Sequence, residues 1–230
     1  MSRLSRGQEV DERGFATVLG VLSLAEMQQL TDDLDRSGVT RSRAGLRHAL
    51  RLASVAQLAR DPRLLDLAKE ILDGEALPFR ATLFDKSAES NWLVVWHQDT
   101  ALPLRERKET AGWGPWSVKD GIIYAHAPAD ALSRVLALRV HLDESTPQNG
   151  PLRVLPGTHK RGVLTDDEIQ GLSQSIAPSD CLVPQGGVLA MRPLLVHASS
   201  KSQSYLPRRV LHIEYAVSMN LTPSLELATA

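Results

Sequence analysis

Residues 134–143 read RVLALRVHLD. Successive side chains of a β-strand point to opposite faces. Leu136, Leu138, Val140 and Leu142 therefore share one face, and Arg139 and His141 share the other. This is the clearest alternation in the chain, and the same character returns on both sides of it. The stretches FRATLFDK (79–86), NWLVVWHQD (91–99), GIIYAHA (121–127), PLRVLPG (151–157), DCLVP (180–184), GGVLAMRP (186–193), LLVHAS (194–199) and RRVLHIEYAV (208–217) are short, β-branched or alternating. Gly, Pro, Asn and Ser separate them. Strands of this kind with few helices between them predict an antiparallel sandwich or jelly roll over about 79–217.

Upstream the period changes. In SLAEMQQLTDDLDRSG (23–38), Ser23 and Glu26 form a capping box and Gly38 is the expected stop. A second helix is expected around HALRLASVAQLAR (48–60). In DPRLLDLAKEILDG (61–74), Asp61 is the N-cap, Pro62 the first helical residue and Gly74 the residue past the end. Leu64, Leu65, Leu67, Ala68, Ile71 and Leu72 form its apolar face. The expected architecture is mainly β: a jelly-roll core with a helical support at about 15–74, in a single domain covering 1–230.

With 230 residues, 43% hydrophobic and 23% charged, the composition is that of a soluble globular chain. A formal net charge of −1 gives no sign of a nucleic-acid or anionic-membrane partner. Arg41, Arg43, Arg47 and Arg51 cluster at helical spacing and read as a solvated face. The single cysteine, Cys181, excludes an internal disulfide framework and a Cys-based zinc cluster, and reads as a buried small hydrophobe. No apolar run approaches the length of a membrane span, and MSRLSRGQEVDERG has no secretory core, so a cytoplasmic location is expected.

The chemistry is carried by VVWHQDTALP (94–103). On a strand, His97 and Asp99 leave the backbone on the same side, as a metal-binding pair or an ordinary hydrogen-bonded one. Two histidines and a carboxylate on one face of an octahedron are the signature of non-heme Fe(II) oxygenases. The third ligand is sought at the end of a later strand, where His197 follows LLV and precedes Ser199 and Ser200. Arg208 then opens the last strong strand. Its guanidinium is the fork that a cosubstrate carboxylate wants, and adjacent Arg209 is the rival for that part.

The ordered set His97-x-Asp99, His197, Arg208 resembles the phytanoyl-CoA dioxygenase (PhyH) family of Fe(II)/2-oxoglutarate oxygenases. HLDESTPQNGPLRVLPGTHKRG (141–162) and GFATVLGVLSLAEMQQL (14–30) are similar to that family's Asn-Gly/PGTH segment and its N-terminal strand and helix. The resemblance runs from about Gly14 to about Val217. It implies a double-stranded β-helix, with His97, Asp99 and His197 as iron ligands and Arg208, helped by Ser199, on the distal carboxylate of 2-oxoglutarate. It also implies O2-dependent hydroxylation of a small-molecule C–H bond with release of succinate and CO2. The carboxylate of Asp99 favours hydroxylation over halogenation. The alternatives are a jelly-roll binding module without turnover and a cupin-like metalloenzyme that does not use 2-oxoglutarate.

Other polar residues have two readings each. Arg139 and His141 either line the barrel interior near the substrate or are satisfied strand residues. His126 is a weaker candidate of the same kind. Lys86, ending its strand, meets an anion or is solvated. The long connection LPLRERKETAGWGPWSVKDG (102–121) is read as a binding loop or lid, with Trp113 and Trp116 as substrate contacts or loop anchors. Its Arg105, Arg107 and Lys108 are offset by Glu106 and Glu109, so an acyl-CoA has no evident phosphate site. His212 and His159 read as structural, Asn149-Gly150 as a hairpin signal, and His48 has no assigned role.

Overall fold

The computed structural model describes residues 4–39, 45–87 and 90–230. Helix α1 (Arg6–Arg13) is closed at its start by a Ser5/Gln8 capping box and at its end by Gly14 at φ 87°. Strand β1 (Phe15–Val18) leads into α2 (Leu24–Arg36), which carries the expected Ser23/Glu26 capping box. After β2 (Gly45–Leu46), the expected helix over 48–60 is broken into a 3-10 turn (Ala49–Arg51) and α3 (Ala53–Leu58). Leu52 is extended between them, at ψ 129°. Helix α4 (Pro62–Leu72) starts as expected, but Asp73, not Gly74, adopts the left-handed terminal conformation at φ 52°. Among the described residues, the helical support therefore begins at Arg6 rather than 15, and it contains two strands.

The jelly-roll strands follow: β3 (Leu77–Lys86), β4 (Val94–His97), β5 (Ala101–Leu104), β6 (Trp116–Lys119), β7 (Ile122–His126), β8 (Val135–His141), β9 (Leu152–Val154), β10 (Ser179–Cys181), β11 (Val188–Met191), β12 (His197–Ser199) and β13 (Arg208–Ala216). A short helix α5 (Ala129–Leu132) precedes β8, and α6 (Asp166–Ser175) links β9 to β10. The sequence also held the start of α6, a Thr165/Glu168 capping box that the strand reading passed over. A six-stranded sheet runs β1-β11-β8-β13-β3-β2 and faces a four-stranded sheet β10-β9-β12-β4. All pairings are antiparallel.

Both faces of β8 are buried, for different reasons. Leu136, Leu138, Val140 and Leu142 pack outward against Met27, Leu64, Leu67 and Ile71 of the helices. Fully burying an aliphatic side chain stabilises by about 1.5–3 kcal/mol, so this layer holds the helices on the sheet. Leu65 and Leu72, placed on the apolar face of α4 by the sequence, are only half-buried at its edge. Arg139 and His141 face inward, between the two sheets.

Two expectations about connections are corrected. Residues 102–121 are not one loop: β5, β7 and β6 form a three-stranded sheet, leaving only 105–115 as a connection. Asn149-Gly150 does not close a hairpin, because β8 and β9 belong to different sheets. Asn149 instead braces the crossing, accepting from the Thr146 amide and donating to the Glu144 carbonyl. Of the arginine cluster, Arg41 and Arg43 lie outside the described residues; Arg47 and Arg51 are exposed but on no common helix. Gly150 sits at φ 65°, where a Cβ would come 2.3 Å from the Ser200 carbonyl oxygen. Gly150→Ala is therefore expected to destabilise by about 2–3 kcal/mol, read as a lowered midpoint in urea unfolding. An unchanged midpoint would mean that this crossing is not close-packed.

Candidate metal centre

His97 ends β4 and His197 opens β12, and the two are direct cross-strand partners. Their rings lie 4.2 Å apart between centroids. Two residues beyond His97, the Asp99 amide donates to the Pro193 carbonyl at 2.9 Å, which aims its carboxylate back at both rings. His97 Nε2 is 3.7 Å from Asp99 Oδ1, and His197 Nε2 is 3.5 Å from Asp99 Oδ2. One ligand atom from each residue lies within 4.8 Å of the others.

The tautomers are fixed by the backbone. His97 Nδ1 donates to the Val95 carbonyl at 2.9 Å, and His197 Nδ1 donates to the Leu195 carbonyl at 2.8 Å. A carbonyl can only accept, so the proton is on Nδ1 and the lone pair on Nε2 points at the shared centre. Burial pushes the His197 imidazole down to about 4, so it is neutral at physiological pH. Burial alone would raise Asp99, but the facing His197, His212, His97 and Arg80 side chains outweigh it and hold the carboxyl below its usual range. Two imidazole nitrogens and one ionised carboxylate turned to a common centre suit a divalent first-row cation with open positions.

The opposite wall of the cavity is the inner face of the six-stranded sheet. The register of β13 on β3 sets Arg208 beside Lys86 and Glu214 beside Arg80. Arg208 and Arg139 line the same cavity as the three ligand residues, together with Lys86, Ser199 and Trp92. Lys86 is buried, 1% exposed, rather than solvated at a strand end. Its ammonium donates to Ser199 Oγ at 2.8 Å and to the Ser200 carbonyl at 2.5 Å, and lies 5.3 Å from the Trp92 ring centroid. Burial, reinforced by Arg208, pulls the Lys86 amine down to about 7. Arg208 is 4% exposed and donates to the Asn149 carbonyl at 3.2 Å. Burial and Arg139 bring its guanidinium down to about 10. Ser199 Oγ donates to the Gly150 carbonyl at 2.9 Å, so its lone pair is turned to Lys86.

Arg209 points the other way and is held by Asp143 through a two-pronged ion pair at 2.8 and 2.9 Å. Arg139 donates to His212 Nδ1 at 2.9 Å, while its Nε is buried with no partner. Among the described residues no carboxylate pairs with Lys86, Arg139 or Arg208.

Several expected site residues fall elsewhere. Trp113 is packed in a core cluster with Leu102, Leu104 and Leu132, and Trp116 packs against that cluster from β6. Neither lines the metal cavity; a Gly/Pro-rich loop here anchors itself in a second core instead of exposing its aromatics. His141 is buried behind Arg139 and bonded to Ser145, and does not line the cavity. His126 meets Thr100 near the surface. His159 reaches back to the Asp11 carbonyl, and His48, given no role by the sequence, bonds the buried Tyr124 hydroxyl at 2.9 Å. Cys181 is buried, its thiol pushed up to about 12. The strand pattern alone did not single out Arg80 and Glu214, whose buried two-pronged ion pair stands beside Asp99. The signal was present: Arg80 and Lys86 share the inward face of FRATLFDK.

The family model of phytanoyl-CoA dioxygenase (PhyH) matches residues 10–210. An L-proline trans-4-hydroxylase of Streptomyces griseoviridis is 28% identical over 186 residues, covering 70% of this chain and 62% of the relative. An ectoine dioxygenase of Sphingopyxis alaskensis is 32% identical over 106 residues, covering 46% of this chain and 28% of the relative. The chain thus spans less than two thirds of the length of these relatives. The crystal structure of EctD from S. alaskensis in its apoform superposes with a TM-score of 0.67 at 21% identity, covering 91% of this chain and 75% of that one. That likeness places the two sheets in the jelly-roll fold.

Proposed function

The chain belongs to the phytanoyl-CoA dioxygenase family, and from that premise we propose that it is an Fe(II)- and 2-oxoglutarate-dependent dioxygenase that hydroxylates a C–H bond of a small molecule. One observation carries the reading: the His97–Asp99–His197 cluster shares a cavity with buried cations that no carboxylate among the described residues neutralises. When bound by the three side chains, iron supplies oxygen activation coupled to conversion of 2-oxoglutarate into succinate and CO2. Everything else is the work of the polypeptide. His97, Asp99 and His197 would hold the iron, and the cavity they share with Arg208 and Lys86 would receive the cosubstrate. Arg208 and Lys86 hold the far carboxylate of 2-oxoglutarate, and Ser199 positions the Lys86 ammonium. Arg139 adds positive charge to the cavity wall and, through His212, steadies the ground behind Asp99. The same proposal takes 1–230 as one catalytic domain working in the cytoplasm. Among the described residues no helix is long and apolar enough to cross a membrane.

The test is anaerobic titration of Fe(II) and 2-oxoglutarate into the apoprotein, followed by visible absorbance. A weak charge-transfer band that needs both additions is expected. Iron binding without a band would favour a metalloenzyme that does not use 2-oxoglutarate, and no iron binding would leave a binding module.

The titration of Lys86 gives a pH prediction. Only the ammonium attracts a carboxylate, and the free protein's Lys86 loses its proton near pH 7. Binding a dianion favours the charged form and raises this pKa, so above about pH 7 binding must take up a proton. The affinity for 2-oxoglutarate is therefore full at about pH 6 and falls by up to about tenfold per unit above pH 7. Lys86→Met should bind more weakly and lose this dependence. A wild-type profile as flat as the variant's between about pH 6 and pH 8.5 would remove Lys86 from the cosubstrate site.

A further inference from the structure

Two arginines enter the metal cavity from different levels of the six-stranded sheet. The register of β13 on β8 sets His212 opposite Arg139, and the register of β13 on β3 sets Arg208 opposite Lys86. Arg208 and His212 share the inward face of β13 and stand four residues apart, about 13 Å at the rise of a strand. Ser199 of β12 meets the Lys86 level, and His197, two residues before it, lies on the same face of that strand. Lys86, Arg208 and Ser199 thus gather at one level of the cavity, and Arg139 stands at another. Asp99 and His197 are within electrostatic reach of its guanidinium.

The surroundings of Arg139 leave one edge of it free. Its guanidinium carbon lies 5.2 Å from the centroid of the Phe84 ring, which also lines the cavity. Its Nη1 donates to His212 Nδ1 at 2.9 Å, a bond that fixes the plane of the group. His212 can accept there because burial and the like charge of Arg139 keep it neutral. Asp99 is turned to His97 and His197 and makes no ion pair with Arg139. What remains is the side of Nε and Nη2, and Nε is buried without a partner among the described residues. Those two N–H groups form the side-on fork that matches a carboxylate. A buried donor left unpaired is destabilising, so the group is matched to an acceptor from outside the chain. Depth decides which molecule can supply it. Arg139, Arg208, Lys86 and Ser199 are all buried, whereas the His97 and Asp99 side chains are partly exposed. The mouth is on the side of those two ligands, so a molecule that meets Arg139 lies inside the barrel.

We propose that Arg139 receives the carboxylate of 2-oxoglutarate that adjoins its 2-oxo group, while Arg208 and Lys86 receive the far one. This rests on the oxygenase reading above and assigns a further binding residue to the same site. The two ends of one dianion are then read by separate cations on β8 and β13. A 2-oxo acid that lacks the far carboxylate keeps its contact with Arg139 and loses the contact with Arg208 and Lys86.

The experiment uses the full chain with Fe(II) under anaerobic conditions. It is titrated with 2-oxoglutarate and with 2-oxopentanoate, which has the same carbon chain and no far carboxylate, and the charge-transfer band reports the binding of each. Arg208→Ala should weaken 2-oxoglutarate alone and leave 2-oxopentanoate within about threefold. Arg139→Gln should weaken both acids by the same factor, about tenfold to a hundredfold, as expected for one or two hydrogen bonds between charged groups. The affinity for Fe(II) without a 2-oxo acid should not fall in Arg139→Gln, and near-UV circular dichroism checks its fold. Unchanged binding of 2-oxopentanoate in Arg139→Gln, weakening of 2-oxoglutarate alone, or an equal loss of Fe(II) affinity would each overturn the proposal. A second measurement needs no variant: calorimetry on the metal-free wild type with glutarate and pentanoate. Glutarate should bind at least about tenfold tighter, since it reaches both arginines; equal affinities would also overturn the proposal. A band that never forms with 2-oxoglutarate brings down the oxygenase reading itself; a normal band indifferent to Arg139 brings down this inference alone.

Discussion

Alanine at His97, Asp99 or His197 is expected to lower O2-dependent succinate release at least about a hundredfold while leaving the fold intact. The lower bound follows from what even outer partners of a metal ligand are worth, about 10–100-fold in affinity or activity. The effect reaches this size because each residue supplies one of three ligand atoms within 4.8 Å, and no other His, Cys, Asp or Glu among the described residues joins that group. The fold survives because the triad is a loose electrostatic cluster at the mouth of the barrel: the His97 and Asp99 side chains are 37% and 31% exposed. His197→Ala removes a buried ring and is expected to cost some stability as well, so the clean comparison is between the first two. Metal content by atomic absorption and succinate by chromatography, with near-UV circular dichroism as the control of folding, decide it. Wild-type succinate yields in both His97→Ala and Asp99→Ala would defeat the ligand assignment.

The second large effect separates neighbouring arginines. Arg208→Ala is expected to weaken 2-oxoglutarate binding about a hundredfold, since two charge-assisted hydrogen bonds together contribute about 3 kcal/mol. Arg209→Ala should leave that affinity within about twofold. Its guanidinium is occupied by Asp143 at 2.8 Å and faces away from the cavity, so its loss is expected to appear as about 1 kcal/mol of stability instead. Titration of the charge-transfer band in the two variants makes the comparison. The opposite ranking would mean that the cosubstrate enters from the other side of β13.

Where the sequence was legible, a local rule governed the outcome. Alternation along β13 puts Arg208 and Arg209 on opposite faces, and the family resemblance pointed to Arg208, which lines the cavity while Arg209 is held by Asp143. The α2 and α4 starts were readable because a cap is satisfied within three residues. The split between Leu136, Leu138, Val140, Leu142 and Arg139, His141 was equally local, and it fixed which face of the sheet met the helices.

What was not legible depended on partners far away in the chain. Lys86 reads as a solvated strand end until β13 and β12 close over it, at sequence separations of more than a hundred residues from Ser199 and Ser200. Trp113 and Trp116 read as pocket residues because a Gly/Pro loop has no face of its own; the second core that takes them is assembled from β5, α5 and the C-terminal stretch. Asn149-Gly150 reads as a hairpin because the local signal cannot say whether two strands join the same sheet.

The sequence by itself determined the strand class, which follows from residue type and periodicity within a few positions, and through the family resemblance of its ordered motifs it named the family, the three metal-ligand candidates and Arg208. Only the tertiary structure decided that Arg208 and Lys86 stand together in the cavity and that Arg80 is spent on Glu214. Those placements are set by cross-strand register and by the packing of one sheet on another. Register is a property of pairs of strands, and no single strand contains it.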